Sequence, residues 1–519
     1  MNLNKKLAVA VSGAVLLMAG QVALADSATD IVDALVSKGV LTEEEGKLIT
    51  KGHTSKTSVT PVVKEKDGAF TLESANGRNS IQLTGRMHLD YRDNFLDMST
   101  VGGGSDRDSA SLADQFELRR ARIGVKGKFA KDFKYEVVAN LPGTATIDVA
   151  YLDFAKYDQF QIRVGKFKQP FGLEELISSN NITMMERSYL DQTVPGKKIG
   201  LQVMGAPFTG TTYAGSIFQM NDTELNITAD GNNSVAGRAT INFAEIMGNK
   251  EMVMHLGLAG VDNSYAVTSS NSSQTNKAQE TTVRSTISAF RSAGRGLNNI
   301  FRAQVAGDLL LNAAGGWGVN SEDPVRAEQR ALGLEGILSS GPFKLMGEYA
   351  AGTNKGRSGA NTIQYDTRTY YVETGWFITG EKYANSYKGG TFGSFKPNNE
   401  FDLDKGHWGA IELALRAEGF LVDDTSMSSN TAGRFQGNLT SYSSADDANV
   451  AATVASANAV RSGAKTFTGG IRWILNPNLV IKANYAYTTL DNAFKPLDVT
   501  NANAIKNEKI LMFRTQYMF

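Results

Sequence analysis

Residues 509–519 read Lys-Ile-Leu-Met-Phe-Arg-Thr-Gln-Tyr-Met-Phe, and their polarity alternates with a period of two. Four apolar residues share one face and two polar residues share the other: Leu511, Phe513, Tyr517 and Phe519 against Arg514 and Gln516. A strand of about ten residues with one apolar and one polar face is typical of a tilted strand that spans a membrane. A soluble β-sandwich can also end on such a strand, so the rest of the chain must distinguish the two folds.

The composition bounds the class of protein. The chain has 519 residues, of which 53 are basic and 53 acidic, so it lacks the basic excess that bulk nucleic-acid binding requires. The mean hydropathy of −0.24 is low for a helical membrane protein, but it suits a barrel in which half of each spanning strand faces water. The chain contains no cysteine, which excludes disulfides, Cys-ligated zinc, iron–sulfur clusters and a thiol nucleophile.

Residues 1–25 have the organisation of a cleaved signal peptide. Lys5 and Lys6 form a positive region, residues 7–19 are mostly apolar, and Ala23-Leu24-Ala25 matches a small-x-small cleavage site. The apolar run is too short to span a membrane as a helix, and no later run of the sequence is long enough. We therefore expect an exported protein that is secreted, periplasmic or a barrel of the outer membrane.

Residues 26–68 are predicted to form a short helical extension followed by a polar linker. Residues 26–52 have helical apolar spacing, and Thr42 with Glu45 forms a capping box for the second helix. Residues 53–67 are rich in Ser, Thr and Lys, which is typical of a linker. Two interpretations remain open for this extension in the periplasm: a passive appendage, or a contact between associating barrels.

From residue 69 to residue 519 the pattern predicts one membrane barrel. Alternation of apolar and polar residues recurs in roughly sixteen to eighteen segments, among them 81–91, 133–140, 235–243, 301–308, 343–349, 411–418, 466–473 and 479–488. Tight connections at 130–132 and 476–478 contrast with long polar ones at 262–282 and 423–465. Short turns and long loops together are the pattern of an all-β transmembrane antiparallel barrel of about 16 strands.

The charged inward faces indicate what such a barrel does. In a soluble sandwich the inward face is the apolar core, and charges on nearly every strand would be costly to bury. Here the polar face must be hydrated, so the lumen is predicted to be an open pore. A structural or adhesive outer-membrane protein, with a closed lumen and functional loops, remains the alternative.

The densest basic stretch on any predicted strand lies at residues 115–125, where the phase of the alternation breaks. A one-residue bulge near Arg119 and Arg120 would explain the break and would turn both guanidinium groups away from lipid. An arginine facing the bilayer midplane costs about 2–4 kcal/mol. Clustered arginines suit an oxyanion such as phosphate, although ion pairs with Asp114 and Glu117 are an equally good interpretation.

A long connection follows the strand at 162–168 and runs to Pro195-Gly196-Lys197-Lys198. It carries basic residues and hydroxyls, among them Ser178, Ser179 and Arg187. Early long loops of pore-forming barrels often fold inward and narrow the lumen, so we expect this loop to form an anion constriction.

At these residues the chain resembles the phosphate-selective porin O/P family. The matching motifs occur in family order over about residues 80–519: Leu118-Arg119-Arg120-Ala121-Arg122, Val164-Gly165-Lys166-Phe167, Phe171-Gly172-Leu173-Glu174, Glu186-Arg187-Ser188, Phe377-Ile378-Thr379-Gly380-Glu381, Trp408-Gly409-Ala410-Ile411-Glu412-Leu413 and Arg514-Thr515-Gln516-Tyr517-Met518-Phe519. The resemblance implies a sixteen-stranded barrel, assembled as a homotrimer in the lipid of the outer membrane, that passes phosphate-like anions along an arginine-lined lumen. The aromatic Phe519 agrees with the ending that such barrels commonly have.

The resemblance also implies the residues of a central anion site: Arg86, Arg119, Arg120, Asp148, Ser178, Ser179 and Arg187. The arginines would replace the hydration of the anion, the serines would donate hydrogen bonds, and Asp148 would orient arginines or accept from a protonated phosphate oxygen. Further lumen candidates are Arg163, Lys166, Lys168 and Lys388.

One departure from the family pattern concerns selectivity. Where phosphate-specific members place a lysine after Phe-Gly-Leu-Glu, this chain has Glu175. A negative charge near the constriction leaves a general, weakly selective porin as the alternative. Lys382 or Lys388 are candidates for a compensating lysine.

Nothing in the sequence predicts catalysis, a cofactor or a metal. The four histidines, His53, His88, His255 and His407, lack the spacing of metal ligands. The sequence has no Gly-x-Ser-x-Gly elbow, P-loop or dinucleotide fingerprint. We therefore expect a channel and no enzyme.

Overall fold

The computed structural model describes residues 32, 35–38, 40–48, 60–66, 69–95, 115–220, 233–266, 283–307, 309–311, 317–319, 325–429, 432–439, 460–494 and 505–519. The predicted signal peptide at 1–25 lies outside these residues, as do parts of the predicted helical extension and of the long loops. No helix in the described part of the chain is long and apolar enough to cross a membrane.

Strands dominate the described residues. Their bounds are β1 Val62–Lys66, β2 Ala69–Glu73, β3 Ser80–Asn94, β4 Gln115–Phe129, β5 Phe133–Asn140, β6 Thr146–Tyr157, β7 Phe160–Lys168, β8 Lys197–Gly205, β9 Thr211–Gln219, β10 Ser234–Asn242, β11 Met252–Ala266, β12 Val283–Phe290, β13 Phe301–Gly307, β14 Leu309–Leu311, β15 Trp317–Val319, β16 Arg326–Ser340, β17 Phe343–Ser358, β18 Asn361–Phe377, β19 Tyr387–Lys388, β20 Thr391–Phe392, β21 Ala410–Met427, β22 Gly433–Gly437, β23 Ser462–Asn476, β24 Leu479–Phe494 and β25 Ile505–Met518. Two single-turn helices, α1 Leu173–Leu176 and α2 Phe243–Ile246, and two 3₁₀ turns, Tyr189–Gln192 and Tyr383–Ser386, lie between the strands. Residues 43–48, before the first strand, are also helical.

Sixteen of these strands, β3 to β11, β16 to β18, β21 and β23 to β25, form a closed antiparallel β-barrel, which confirms the predicted fold class and strand number. The last strand pairs with β24 on one side and with β3 on the other, where Arg514 lies opposite Asp90. Pairing of the last strand with the first removes the exposed sheet edges that lipid would not tolerate.

The chain divides into two compact units, the first comprising Met1–Thr84 and Gly124–Glu136 and the second Gly85–Ile123 and Val137–Phe519. In the first unit β1 pairs with β2, and β2 pairs with the start of β3. The predicted capping box is present there: Glu45 N donates to Thr42 Oγ1 at 3.2 Å, and Thr42 N donates to Glu45 at 2.9 Å. Residues 62–66, predicted as part of the linker, instead form β1.

In the second unit the period of two sorts side chains as predicted. On β25, Phe513 and Tyr517 are exposed on the outward face, whereas Arg514 and Gln516 are buried on the inward face. On β4 the phase changes where the sequence breaks: Leu118 points outward, but both Arg119 and Arg120 point inward. The lipid-facing band is therefore apolar, and charge is directed to the lumen.

One predicted barrel strand belongs elsewhere. Residues 301–308 alternate as a spanning strand would, but β13 pairs with β12 and β22 in a separate three-stranded sheet. Its apolar residues Phe301, Ala303 and Val305 are buried in a core that includes Tyr189 and Phe420, and none of them is exposed to lipid. The segment 423–465 was predicted as one polar loop, but β21 extends to Met427, β22 occupies Gly433–Gly437, and β23 begins at Ser462.

The connections between strands show the predicted contrast, with short turns at one end of the barrel and long loops at the other, but there are two exceptions. Residues 477–478 form a tight turn, as expected, whereas β17 and β18 are joined by only two residues at the opposite, long-loop end. At the short-turn end, residues 378–409 form a long connection between β18 and β21. Its aromatic residues Tyr383, Phe392 and Phe395 are buried with Leu173 and Ile177 of the β7–β8 connection. The lumen therefore receives segments from both ends.

Candidate functional site

The connection between β7 and β8, residues 169–196, folds inward and packs on the lumen face of the wall. Gly172 adopts φ 84°, a conformation that favours glycine, and directs the chain into α1. The backbone N–H groups of Leu173 and Glu174 both donate to the Glu348 carboxylate on β17, at 2.7 Å each. Tyr189 N donates to Glu418 on β21 at 2.9 Å. The predicted inward loop is therefore present, and we call residues 169–196 the constriction loop.

Four inward-facing cations hold this loop by its backbone carbonyls. Arg472 donates to Asn181 O at 2.8 Å, and Lys482 donates to Ile182 O at 2.6 Å. Arg514 donates to Met185 O at 2.6 Å, and Arg416 donates to Glu186 O at 3.0 Å. Buried backbone carbonyls need such partners, so these basic residues position the loop.

Glu186 stands at the centre of an arginine cluster. Its carboxylate lies 2.8 Å from Arg92, 3.2 Å from Arg119, 3.3 Å from Arg514 and 3.8 Å from Arg295. Burial opposes ionisation, but these arginines, Arg119 first, hold the pKa of Glu186 well below its ordinary value. Asp90, at 2.6 Å from Arg514, and Glu117, at 3.3 Å from Arg295, also pair with these groups. Three carboxylates therefore face four guanidinium groups, which leaves a small excess of positive charge.

Arg120, like Arg92 and Arg295, has a guanidinium nitrogen without a hydrogen-bond partner among the described residues. Arg120 is buried, and the nitrogen concerned is its Nη1. Arg119 and Arg187 lie within electrostatic range and add like charge. A cavity of about 30 Å³ adjoins Arg120, with room for about two water molecules. An unsatisfied buried donor beside a small polar cavity favours a mobile anion or water as its partner.

Two of the predicted serines meet Arg86. Arg86 Nη1 donates to Ser179 Oγ at 2.9 Å and to Ser178 Oγ at 3.3 Å. The next residue of the loop, Asn180, lies 3.1 Å from His88 Nε2. A guanidinium and two hydroxyls therefore converge where the start of the barrel wall meets the constriction loop.

Asp148 on β6 pairs with two cations that were not predicted as site residues. Its carboxylate lies 2.5 Å from Lys197 and 2.8 Å from Arg122, and Arg86 is within electrostatic range. These side chains keep partial exposure, between 12% and 19% for the three paired groups. They therefore line a hydrated part of the lumen.

Arg187 is tied to the loop itself. It donates to the carbonyls of Glu174 and Ile177 at 3.0 and 2.8 Å and pairs with the Glu175 carboxylate at 2.8 Å. Lys168 donates to the carbonyls of Glu175 and Ile177. Arg187 and Lys168 thus stabilise the turn around α1, which limits their freedom to bind an anion.

The remaining candidates are more scattered. Arg163 forms a two-point ion pair with Asp153 at 2.7 and 2.8 Å and stacks over Tyr151. Lys166 is buried on β7. Lys388 is exposed on the short β19–β20 hairpin, which Arg238 holds by donating to Gly390 O at 2.8 Å. Arg163 thus pairs along the barrel wall, and Lys388 lies on the connection between β18 and β21.

Several residues of the site were not predicted. Arg122 follows Arg120 by two residues on the same face, so the alternation after the phase change would have identified it. Lys197 and Glu186 occur in stretches quoted above without a role. Arg295 lies between β12 and β13, and no sequence signal placed it near Glu186. Among the described residues no group of His, Asp or Glu is arranged to hold a metal ion.

Comparisons with known proteins agree with this architecture. The family described as phosphate-selective porin O and P matches residues 81–519. Porin O of Pseudomonas aeruginosa PAO1 is 25% identical over 469 residues, which cover 88% of this chain and 92% of that protein.

The chain is also similar to solved structures of outer-membrane proteins. OmpT of Vibrio cholerae has a TM-score of 0.45 at 7% identity, covering 88% of this chain and 100% of that one. The anion-selective porin of Comamonas acidovorans has a TM-score of 0.42 at 10% identity, covering 85% and 100%. The family match spans most of the sequence and includes the constriction loop. The chain therefore belongs to the family of phosphate-selective porins O and P and is a porin of the bacterial outer membrane.

Proposed function

We propose that this porin passes small anions by passive diffusion, with phosphate-like oxyanions preferred, through a lumen lined by arginine and lysine. The proposed site contains Arg86, Arg119, Arg120, Arg122, Arg187 and Lys197, with Ser178 and Ser179 as hydroxyl donors. Their fixed positive charge favours anions over cations and compensates part of the hydration that an anion loses on entry.

The observation that carries the proposal is the unsatisfied guanidinium of Arg120. Arg187 and Arg416 pair with carboxylates and donate to carbonyls, whereas Arg120 Nη1, beside the small cavity, has no hydrogen-bond partner among the described residues. A guanidinium binds phosphate oxygens through charge-assisted hydrogen bonds. An anion arriving from the cavity beside Arg120 would supply the missing acceptor.

Asp148 supports a preference for anions that carry a proton. Its carboxylate is fixed by Arg122 and Lys197 and lies in range of Arg86. A carboxylate accepts a hydrogen bond from a protonated phosphate oxygen but repels an aprotic anion such as chloride. We assign Asp148 the role of distinguishing between these two classes of anion.

The negative charge of Glu175 argues less strongly against phosphate selectivity than its position in the sequence suggests. Its carboxylate is buried and paired with Arg187 at 2.8 Å. Burial raises the pKa of Glu175, but Arg187 and Lys168 lower it to a net value below the ordinary one. Its charge is therefore neutralised locally.

We further propose a homotrimer, as the family resemblance implies.

The test is a planar-bilayer measurement on the purified protein. The reversal potential in a potassium chloride gradient reports anion selectivity, and titrated phosphate reports block of the chloride current. We expect anion-selective current that phosphate blocks. In Arg120→Ala the phosphate concentration for half block should rise about tenfold, because one charge-assisted contact of about 1.4 kcal/mol is lost.

A matched control separates a local effect from a general loss of charge. Arg357→Ala removes a half-exposed guanidinium from the outward face of β17 and should leave the block unchanged. If the alanine variant does not fold, Arg120→Gln is used instead, because it keeps the three side-chain carbons and an N–H donor but removes the charge. Anion preference without phosphate block would mean a general anion porin, and an absence of conductance would exclude the pore.

A further inference from the structure

A groove of about 810 Å³ lies on the outward face of the barrel near the long-loop end. One row of cross-strand neighbours crosses it: Gly237, Gly260, Leu332, Ala351 and Arg368. The missing side chains of the two glycines lower the floor of this groove, and a Cβ at Gly237 would meet no atom closer than 3.8 Å. The groove is therefore an open depression in the surface of the sheet.

A second groove of about 500 Å³ lies nearer the short-turn end of the same strands. Gly336 and Gly347 are direct cross-strand partners and form its floor. Leu256, Leu338 and Leu345, all exposed, rise beside them. This depression is lined almost wholly by carbon, and it lies in the band that faces the interior of the membrane.

Guanidinium groups stand at the polar end of this surface. Arg330 is 79% exposed and makes one hydrogen bond, from Nε to Asp262, at 3.1 Å. Arg368 donates from Nη1 to Asp423 at 2.9 Å and is 42% exposed. Such exposed pairs contribute little energy. A guanidinium has five N–H donors, so both groups keep donors for a further acceptor.

The order of these features matches one class of ligand. Along the strands an apolar depression is followed by the aromatic residues Tyr349 and Tyr370 and then by exposed guanidinium groups. Long loops of such barrels face the cell exterior. A lipid in the outer leaflet has the same order, with acyl chains in the membrane and charged head groups at the surface.

We propose that this outward surface binds a phosphorylated glycolipid of the outer leaflet, with an acyl chain over Gly336 and Gly347 and a phosphate at Arg330 and Arg368. Arginine binds phosphate through paired N–H donors. A second copy of the chain is a less suitable occupant, because a protein interface would have to desolvate the exposed charges of Arg330 and Asp262. The proposal is independent of which anion passes through the lumen.

The experiment measures lipid retention by native mass spectrometry. The full-length porin is equilibrated with phosphatidylcholine vesicles containing diphosphoryl lipid A, and bound lipid A is counted after detergent extraction. In the double variant Arg330→Gln, Arg368→Gln, the concentration for half occupancy should rise about tenfold, which corresponds to the loss of two exposed phosphate contacts. Gly336→Leu, which fills the apolar depression, should also weaken retention.

Two controls test whether the groove arginines and the lipid phosphate cause the change in retention. The double variant Lys382→Gln, Lys405→Gln removes the same charge from exposed residues outside the groove and should retain lipid A like the parent. Lipid A lacking phosphate should bind the parent as weakly as diphosphoryl lipid A binds the arginine variant. Equal retention by the parent and both groove variants would overturn the proposal. Loss of the oligomer with unchanged lipid retention would assign the groove to a second copy.

Discussion

The carboxylate of Glu175 lies 2.8 Å from the guanidinium of Arg187, within the turn that the constriction loop makes around α1. Glu175 is buried, Arg187 keeps 13% of its side chain exposed, and Arg187 also donates to the carbonyl oxygens of Glu174 and Ile177. The acid that departs from the family pattern thus stabilises the loop and limits the charge that Arg187 presents to the lumen.

Replacing Glu175 tests that interpretation. In Glu175→Lys the carboxylate becomes a cation beside Arg187 and Lys168, so the lumen gains positive charge and the loop loses an ion pair. We expect phosphate to block chloride current at concentrations about tenfold lower, since two added charges attract the anion by more than 1 kcal/mol. Glu175→Gln should give an intermediate value. Weaker block in both variants would contradict the expectation.

The cluster around Glu186 provides a second prediction. Glu186→Gln removes the carboxylate shared by Arg92, Arg119 and Arg514. These three guanidinium groups and Arg295 are then compensated by Asp90 and Glu117. Loss of a buried partner costs about 3–5 kcal/mol. We expect a lower midpoint of unfolding in guanidinium chloride together with a larger reversal potential for anions. Glu251→Gln, at an exposed ion pair with Lys382, is the control and should change neither quantity.

Arg416 provides a prediction about positioning. It is buried, pairs with Glu174 at 2.5 Å and Glu373 at 2.6 Å, and donates to Glu186 O of the constriction loop. Arg416→Met removes the cation that Glu174 and Glu373 share, although Glu373 keeps Lys344 at 2.7 Å. Loss of such a buried partner destabilises the fold by about 3–5 kcal/mol. Single-channel records should then show larger and noisier conductance, because the loop is less firmly held. Arg416→Lys should restore part of the stability. A quiet channel of parental conductance would exclude an anchoring role.

The raised pKa of Asp191 predicts that the anion selectivity of the pore depends on pH. Burial and the neighbouring Glu175 raise the pKa of Asp191 well above the ordinary 3.8, although Arg187 opposes the shift. The carboxyl therefore stays neutral below the raised pKa, and its contribution to folding is present below 3.8 and lost as the pH rises through the raised value. Deprotonation adds a negative charge near Arg187 and Glu175.

Anion selectivity should accordingly fall as the pH rises through the raised pKa of Asp191. The measurement is the chloride reversal potential at a series of pH values above 4, in the parent and in Asp191→Asn. The asparagine variant should lack the transition. A parental transition that persists in Asp191→Asn would assign the effect to another group.

Much of the fold was predictable from local pattern. The alternation in β25 predicted outward Phe513 and Tyr517 and inward Arg514, because side chains of a strand alternate between its two faces. The phase break at Arg119 and Arg120 predicted that both would face inward, because lipid rejects a guanidinium. The same alternation gave a wrong prediction for β13. A period of two occurs both in a strand that faces lipid and in a strand that covers a buried apolar core, and it does not identify the partner strand.

The sequence by itself determined the barrel, its hydrated lumen and the stretches that carry the arginines, because these depend on the polarity of neighbours a few residues apart. Only the tertiary structure decided what each cation does. Arg416 and Arg514 anchor loop carbonyls that are 230 and 329 residues away, whereas Arg120 keeps a donor without a described partner. Arginines that look alike in sequence differ in function because their acceptors come from distant parts of the chain, and chain folding alone brings those acceptors within hydrogen-bond distance.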